Sequence, residues 1–233
     1  MDRAAEQMAA AHSQAKAGLD GFVDRYFNRK VSTLLTSLFL RIGLSPNTIT
    51  VLSLFIGLMA AGSFALGGYL AGIVGSLLFQ LSAIVDCCDG EVARLTNRQS
   101  RFGQLLDLAA DNVVHMAIFA GVAWGLFLQQ EPRSGSWLSL ALGAAAVLGN
   151  GLAFWLVSRA LTLREQRAWG TPLKATWAEF LFKNVTSRDF SVVLLVFALV
   201  GKLEWFLWLA AVGSNIFWIV LAWITRPSSL TRV

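Results

Sequence analysis

The sequence predicts an all-α integral membrane protein, with six transmembrane helices preceded by an interfacial amphipathic helix. Three observations lead there. Of the 233 residues 56% are hydrophobic and only 14% charged, with a mean hydropathy of +0.60; a soluble domain carries about a quarter charged residues. The apolar residues are gathered into long runs, several reaching the roughly 18 residues that cross a bilayer. The Lys and Arg residues fall almost entirely in alternate connections between those runs, as a membrane topology requires.

Residues 1–30 read as a polar N-terminal segment without the apolar core of a removable signal peptide. Residues 31–233 read as one membrane domain. It opens with Val31 to Ile42, apolar but too short to cross. Leu34, Leu35, Leu38 and Leu40 in this stretch suit the bilayer interface, with Arg29, Lys30 and Arg41 at the headgroups. A helix packed on the bundle is the competing reading.

The six spans run approximately over Ile49–Gly68, Tyr69–Val85, Gly103–Gln129, Ser136–Leu161, Phe190–Val200 and Trp205–Ile224. The fifth is short of a full bilayer, so it either borrows residues from Asn184 onward or lies partly within the headgroups. Helix-compatible sequence continues past the second span through Arg94. The stretch from Leu163 to Arg188 contains Trp169, Trp177, Phe180 and Phe182, which fits a surface-lying helix.

All nineteen basic residues except Arg133 and Lys202 lie before span one, after span six, or around the connections between spans two and three and spans four and five. The positive-inside rule therefore places both termini on the cytoplasmic side. The pI near 9.7 is thus a consequence of topology, and nucleic-acid binding is not expected. Trp137, Trp205 and Trp208 fall at the opposite boundary, as an aromatic belt does.

The acidic residues carry the chemistry. Of fourteen, five fall between Asp86 and Asp111: Asp86, Asp89, Glu91, Asp107 and Asp111. Spacings of three and four put Asp86 with Asp89, and Asp107 with Asp111, on one face of their respective helices. A short connection between antiparallel helices brings the two faces together. Like charges about 4 Å apart at an effective dielectric near 20 repel by roughly 4 kcal/mol per pair. Such a group must protonate, separate or enclose cations. Oxygen ligands without His or thiolate favour Mg²⁺, Mn²⁺ or Ca²⁺ over zinc.

Gly90, Ala93 and Gly103 between the two pairs allow a backbone or flat ligand to approach closely, and Arg94 supplies a cation suited to phosphate oxygens. Cys87 and Cys88 point about 100° apart on a helix, which disfavours a mutual disulfide and leaves them as small packing groups. His115 reads as a buried group hydrogen-bonded between helices. Asn150, Asn215 and Ser158 read as further interhelix hydrogen-bonding residues.

The segment DCCDGEVARLTNRQSRFGQLLDLAAD, Asp86 to Asp111, fits D-x2-D-G-x2-A-R-x8-G-x3-D-x3-D at every specified position. This chain thereby resembles the CDP-alcohol phosphotransferase (CDP-alcohol phosphatidyltransferase) family. The stretch PNTIT, with Pro46, Asn47, Ile49 and Thr50, is similar to the family's motif before its first span. The resemblance implies that Asp86, Asp89, Asp107 and Asp111 hold two Mg²⁺ or Mn²⁺ ions. It makes Asp111 also the general base for the acceptor hydroxyl. It places the cytidine nucleotide against Asn47, Thr50, Asp86, Gly90, Ala93, Arg94 and Gly103.

The implied reaction is transfer of a substituted phosphate from a CDP-alcohol to a second alcohol with release of CMP, within phospholipid synthesis. The implied donor is CDP-diacylglycerol or an ether-lipid analogue, and a homodimer is implied as the assembly. The stretch DGFVDRYFNRKVS from Asp20, with Ser187, Arg188 and Asp189, resembles the inositol-phosphate-type members related to di-myo-inositol phosphate phosphate synthase. An inositol phosphate or glycerol phosphate acceptor would need further cations, for which Arg159 and Arg188 are the candidates, against the alternative that they anchor the topology. A divalent-cation transporter is the competing function. It would be expected to carry acids at mid-bilayer depth on several spans, whereas spans one, four and six contain none.

Overall fold

The computed structural model describes residues 29–129, 137–164 and 189–225. They form seven helices: α1 (Arg29–Arg41), α2 (Pro46–Ala65), α3 (Tyr69–Leu95), α4 (Arg101–Gln129), α5 (Trp137–Arg164), α6 (Asp189–Leu199) and α7 (Leu203–Thr225). Five of them, α2, α3, α4, α5 and α7, are long and apolar enough to cross a membrane. Phe55, Met59, Leu77, Leu148 and Ile216 stand exposed on their outer faces. A water-soluble bundle would bury these side chains, whereas lipid solvates them. The chain is a multi-pass membrane protein.

The fifth predicted span corresponds to α6. At 11 residues it rises about 16 Å, roughly half the hydrocarbon thickness. The residues from Asn184 onward that the sequence adds to this span lie outside the described residues, as does most of the Leu163–Arg188 stretch. Helix α3 continues unbroken past the second predicted span to Leu95, as the helix-compatible sequence through Arg94 suggests. Trp137, Trp205 and Trp208 are all exposed.

Helix α2 packs on both α3 and α4, α5 on α4 and α7, and α6 on α3 and α7, while α1 lies against α3. The main core joins Ala60 and Phe64 of α2, Phe79 of α3, Ile118, Phe119 and Val122 of α4, Leu194 of α6, and Phe206 and Leu207 of α7. Helices α2 and α4 meet backbone to backbone there. A Cβ on Gly121 would fall 2.3 Å from the Ala61 carbonyl oxygen, and one on Gly125 only 2.1 Å from that of Phe64. Such close approach is how helices associate where no water drives them together.

A smaller core of Phe39, Ile49, Val85, Cys88 and Val92 joins α1, the start of α2 and the last turns of α3. Cys87 and Cys88 are buried thiols, and their Sγ atoms lie near the carbonyls of Ala83 and Ile84 one turn back. They pack as small residues, as expected.

Candidate active site

Three local features bring the chemistry to one end of the bundle. Helix α2 begins sharply: Ser45 is its N-cap, accepting from the Thr48 N–H, and Pro46 occupies the first turn. That start sets Asn47 and Thr50 one turn apart. Helix α3 ends in a paired closure, with Arg98 N–H donating to Ala93 O and Asn97 N–H to Arg94 O. Asn97 sits in the left-handed region at φ 51°, where asparagine is tolerated at a helix C-terminus. Helix α4 then starts at Arg101 and returns along α3 in the opposite direction, Asp107 meeting Asp86 and Asp89 and His115 meeting Phe79.

The result is convergence. Asp86 and Asp89 of α3 and Asp107 of α4 each offer a carboxylate oxygen, and these three atoms all lie within 4.8 Å of one another. Asp89 is buried, and its carboxylate accepts a hydrogen bond from the Thr50 hydroxyl of α2. One oxygen each of Asp86 and Asp107, Oδ1, is buried and accepts no hydrogen bond, although each carboxylate has other interactions. Three anionic oxygens this close, from two helices and without a nitrogen or sulfur donor, suit a hard divalent cation.

Arg94 lies one turn beyond Gly90, and its guanidinium covers that glycine: a Cβ there would sit 3.3 Å from Nη1. Ala93 is half-buried beside it. Gly103 faces α2, where a Cβ would come 3.1 Å from Asn47 Oδ1 and equally close to Ser100 Oγ. The positions named from the sequence as nucleotide contacts therefore lie around the carboxylates. Ser82 Oγ donates to Ser53 O at 2.8 Å, tying α3 to α2 one turn deeper.

Asp111 lies one turn past Asp107 and is half-buried, outside the three-carboxylate group. Its neighbour Asn112 accepts from Asn150 Nδ2 at 3.1 Å, so Asn150 makes the interhelix bond expected of it. Asn215 does likewise, donating to the Ala145 carbonyl at 3.0 Å. His115 departs from expectation. Its Nδ1 lies 2.7 Å from the Asp111 carbonyl in the same helix, because a side chain four residues on reaches back over the preceding turn. Its ring packs among Phe79, Phe119 and Phe190.

Arg159 is exposed, with its guanidinium 5.3 Å from the centre of the Trp155 ring of its own helix. Arg188 lies outside the described residues. One pair near the site was not assigned a role from the sequence: Thr36 of α1 donates to Glu91 Oε2 at 2.7 Å. The acidic character of Glu91 was visible, but no spacing links it to a threonine 55 positions away.

A family model described as CDP-alcohol phosphatidyltransferase matches residues 43–223. Among curated proteins, a bifunctional IPC transferase and DIPP synthase of Aquifex aeolicus is 34% identical over 140 residues, covering 60% of this chain and 30% of that protein. A phosphatidylinositol phosphate synthase of Mycobacteroides abscessus is 27% identical over 157 residues, covering 67% of this chain and 65% of that protein. The chain thus spans about a third of the bifunctional relative. Among solved structures, the Mycobacterium tuberculosis phosphatidylinositol phosphate synthase with CDP-DAG bound superimposes with a TM-score of 0.64 at 21% identity, covering 88% of this chain and 98% of that one. The same enzyme with manganese and citrate gives 0.65 at 20% identity, covering 87% and 93%. These likenesses show a shared fold.

Proposed function

The chain belongs to the CDP-alcohol phosphatidyltransferase family, and on that premise we propose that it transfers a substituted phosphate from a CDP-alcohol lipid to the hydroxyl of a small polar alcohol, releasing CMP. The observation that carries this reading is the meeting of Asp86, Asp89 and Asp107 within 4.8 Å, with the Arg94 guanidinium over Gly90 and Asn47 beside Gly103.

In this reading Thr50 orients the Asp89 carboxylate, and Arg94 meets the diphosphate oxygens from the open side. Asn47, Ala93, Gly90 and Gly103 border the cytidine. Asp111, one turn deeper than Asp107, removes the proton from the acceptor hydroxyl. The freed oxygen bonds to the lipid-bearing phosphorus as the bond from that phosphorus to the CMP oxygen breaks. Two Mg²⁺ or Mn²⁺ ions held by Asp86, Asp89, Asp107 and Asp111 would neutralise the diphosphate and stabilise the departing CMP. The manganese in one structural neighbour supports the metal class, and the CDP-DAG in another supports a CDP-linked lipid donor.

The acceptor in this proposal is a phosphorylated polyol, inositol phosphate or glycerol phosphate, the former in keeping with the name of the phosphatidylinositol phosphate synthase relative. Arg188 and Arg159 are its proposed cationic contacts. The reading also includes a sixth span completed ahead of α6, α1 in the membrane interface, a homodimeric assembly, and termini and site on the cytoplasmic side, where the basic residues cluster.

The test is an acceptor panel. Purified protein with CDP-diacylglycerol and Mg²⁺ is offered inositol phosphate, glycerol phosphate, serine, choline and ethanolamine, and lipid products are identified by mass. A phosphodiester formed from either phosphorylated polyol is expected. Product with serine or choline alone would replace the acceptor assignment, and no product with any of them would remove the proposal.

A further inference from the structure

We infer that Thr36 and Glu91 form a positioning pair that fixes the segment of α3 carrying Asp86, Asp89 and Gly90, making α1 part of the active-site framework as well as a candidate membrane anchor. For its meaning in catalysis the inference rests on the transferase reading.

Glu91 follows Gly90 directly and stands two residues past Asp89. Its Oε2 accepts a 2.7 Å hydrogen bond from the Thr36 hydroxyl, and Thr36 is only 3% exposed. A hydroxyl donating to a carboxylate in a partly desolvated position is among the stronger side-chain hydrogen bonds. Phe39, one turn beyond Thr36, enters the small core with Val85, Cys88 and Val92 of α3 and Ile49 of α2. Those three α3 residues form a face beside the one bearing Asp86 and Asp89. Helix α1 therefore abuts the turn that presents two of the three clustered carboxylates.

The other side of α1 shows what anchoring alone would need. Leu34, Leu38 and Ile42 stand exposed, spaced by four, and suffice for an apolar stripe. Thr36 adds nothing to that stripe. The connection from α1 to α2 is short and closes with Leu44 N–H donating to Phe39 O, around Gly43 at φ 70°. Moving α1 would thus pull on Ser45, Asn47 and Thr50 as well. The Asp89 region is held from two directions, by Thr50 on α2 and through Glu91 on α1.

The experiment uses the full chain in detergent and compares Thr36→Val, Glu91→Ala and their double variant with the conservative changes Thr36→Ser and Glu91→Gln, which keep a donor and an acceptor. Two readouts are taken: Mn²⁺ affinity from the electron-spin signal of the free ion, and kcat and KM for CMP release from CDP-diacylglycerol. Thr36→Val and Glu91→Ala should each weaken Mn²⁺ binding and lower kcat/KM by about tenfold. The double variant should be no worse than either single, and the conservative variants should keep wild-type affinity. A merely structural role would lower yield and Tm while the folded fraction kept its affinity and KM. That result, or fully additive losses in the double variant, overturns the pairing while leaving the transferase reading standing. A wild-type chain that binds no Mn²⁺ overturns both.

Discussion

Helices α2 and α4 touch in two ways along their length. Near Ala61 and Phe64 the backbones press together over Gly121 and Gly125, against the apolar side chains of the main core. At the other end, toward Asp107, the contact is made by side chains: Gly103 faces the Asn47 amide, and the Thr50 hydroxyl reaches across to Asp89 on α3. The first contact has no adjustable part, because a carbonyl oxygen cannot rotate away from an added methyl group. The second is made by side chains whose positions a ligand can select. The difference teaches where rigidity belongs in such a bundle: a locked far end lets the site end hold three mutually repelling carboxylates without the helices splaying.

The contrast can be broken most severely at its locked end. Gly125→Val places a Cβ 2.1 Å from a backbone oxygen, so a loss of about 3 kcal/mol or more is expected. Size-exclusion profiles in detergent should show little folded protein. At the site end Asp111→Asn should lower turnover by about 10²- to 10⁴-fold while the thermal midpoint stays close to wild type, read by CMP release and a melt on the same preparation. An intermediate effect is expected at Gln80, whose Oε1 accepts from the buried Ser191 hydroxyl at 2.7 Å and ties α3 to α6. Gln80→Leu removes that bond and should cost about 1 kcal/mol, seen as a lowered melting temperature. The smallest effect belongs to Gly213 of α7, where a Cβ would meet nothing within 4 Å. Gly213→Ala should stabilise by about 0.5–1 kcal/mol through backbone entropy alone, seen as a small upward shift.

Legibility from the sequence follows the same division. The apolar runs locate α2, α3, α4, α5 and α7, and the i,i+3 pair Asp86 and Asp89 meets Asp107 because helical periodicity and a short connection leave few other arrangements. The adjacent cysteines pack as small residues for the same reason of periodicity. Side-chain choices between competing partners were less readable. His115 turned back to its own helix, since the Asp111 carbonyl is always within reach whereas a partner on another helix depends on packing. Gly121 and Gly125 attract no notice in an apolar run, because their role is set by the carbonyls of α2. The bond from Thr36 to Glu91 depends on how α1 folds back on α3, which no local pattern encodes. The described part of α6 covers 11 residues, and the residues the sequence adds ahead of it lie outside the described ones.

The central claim is tested most directly by CMP release from CDP-diacylglycerol by the purified chain, with and without a chelator, in wild type and Asp89→Asn. Release should need both a divalent cation and an acceptor alcohol, stop when the cation is removed, and fall by orders of magnitude in the variant. Release that continued at the wild-type rate in Asp89→Asn, or that ignored the chelator, would contradict that claim.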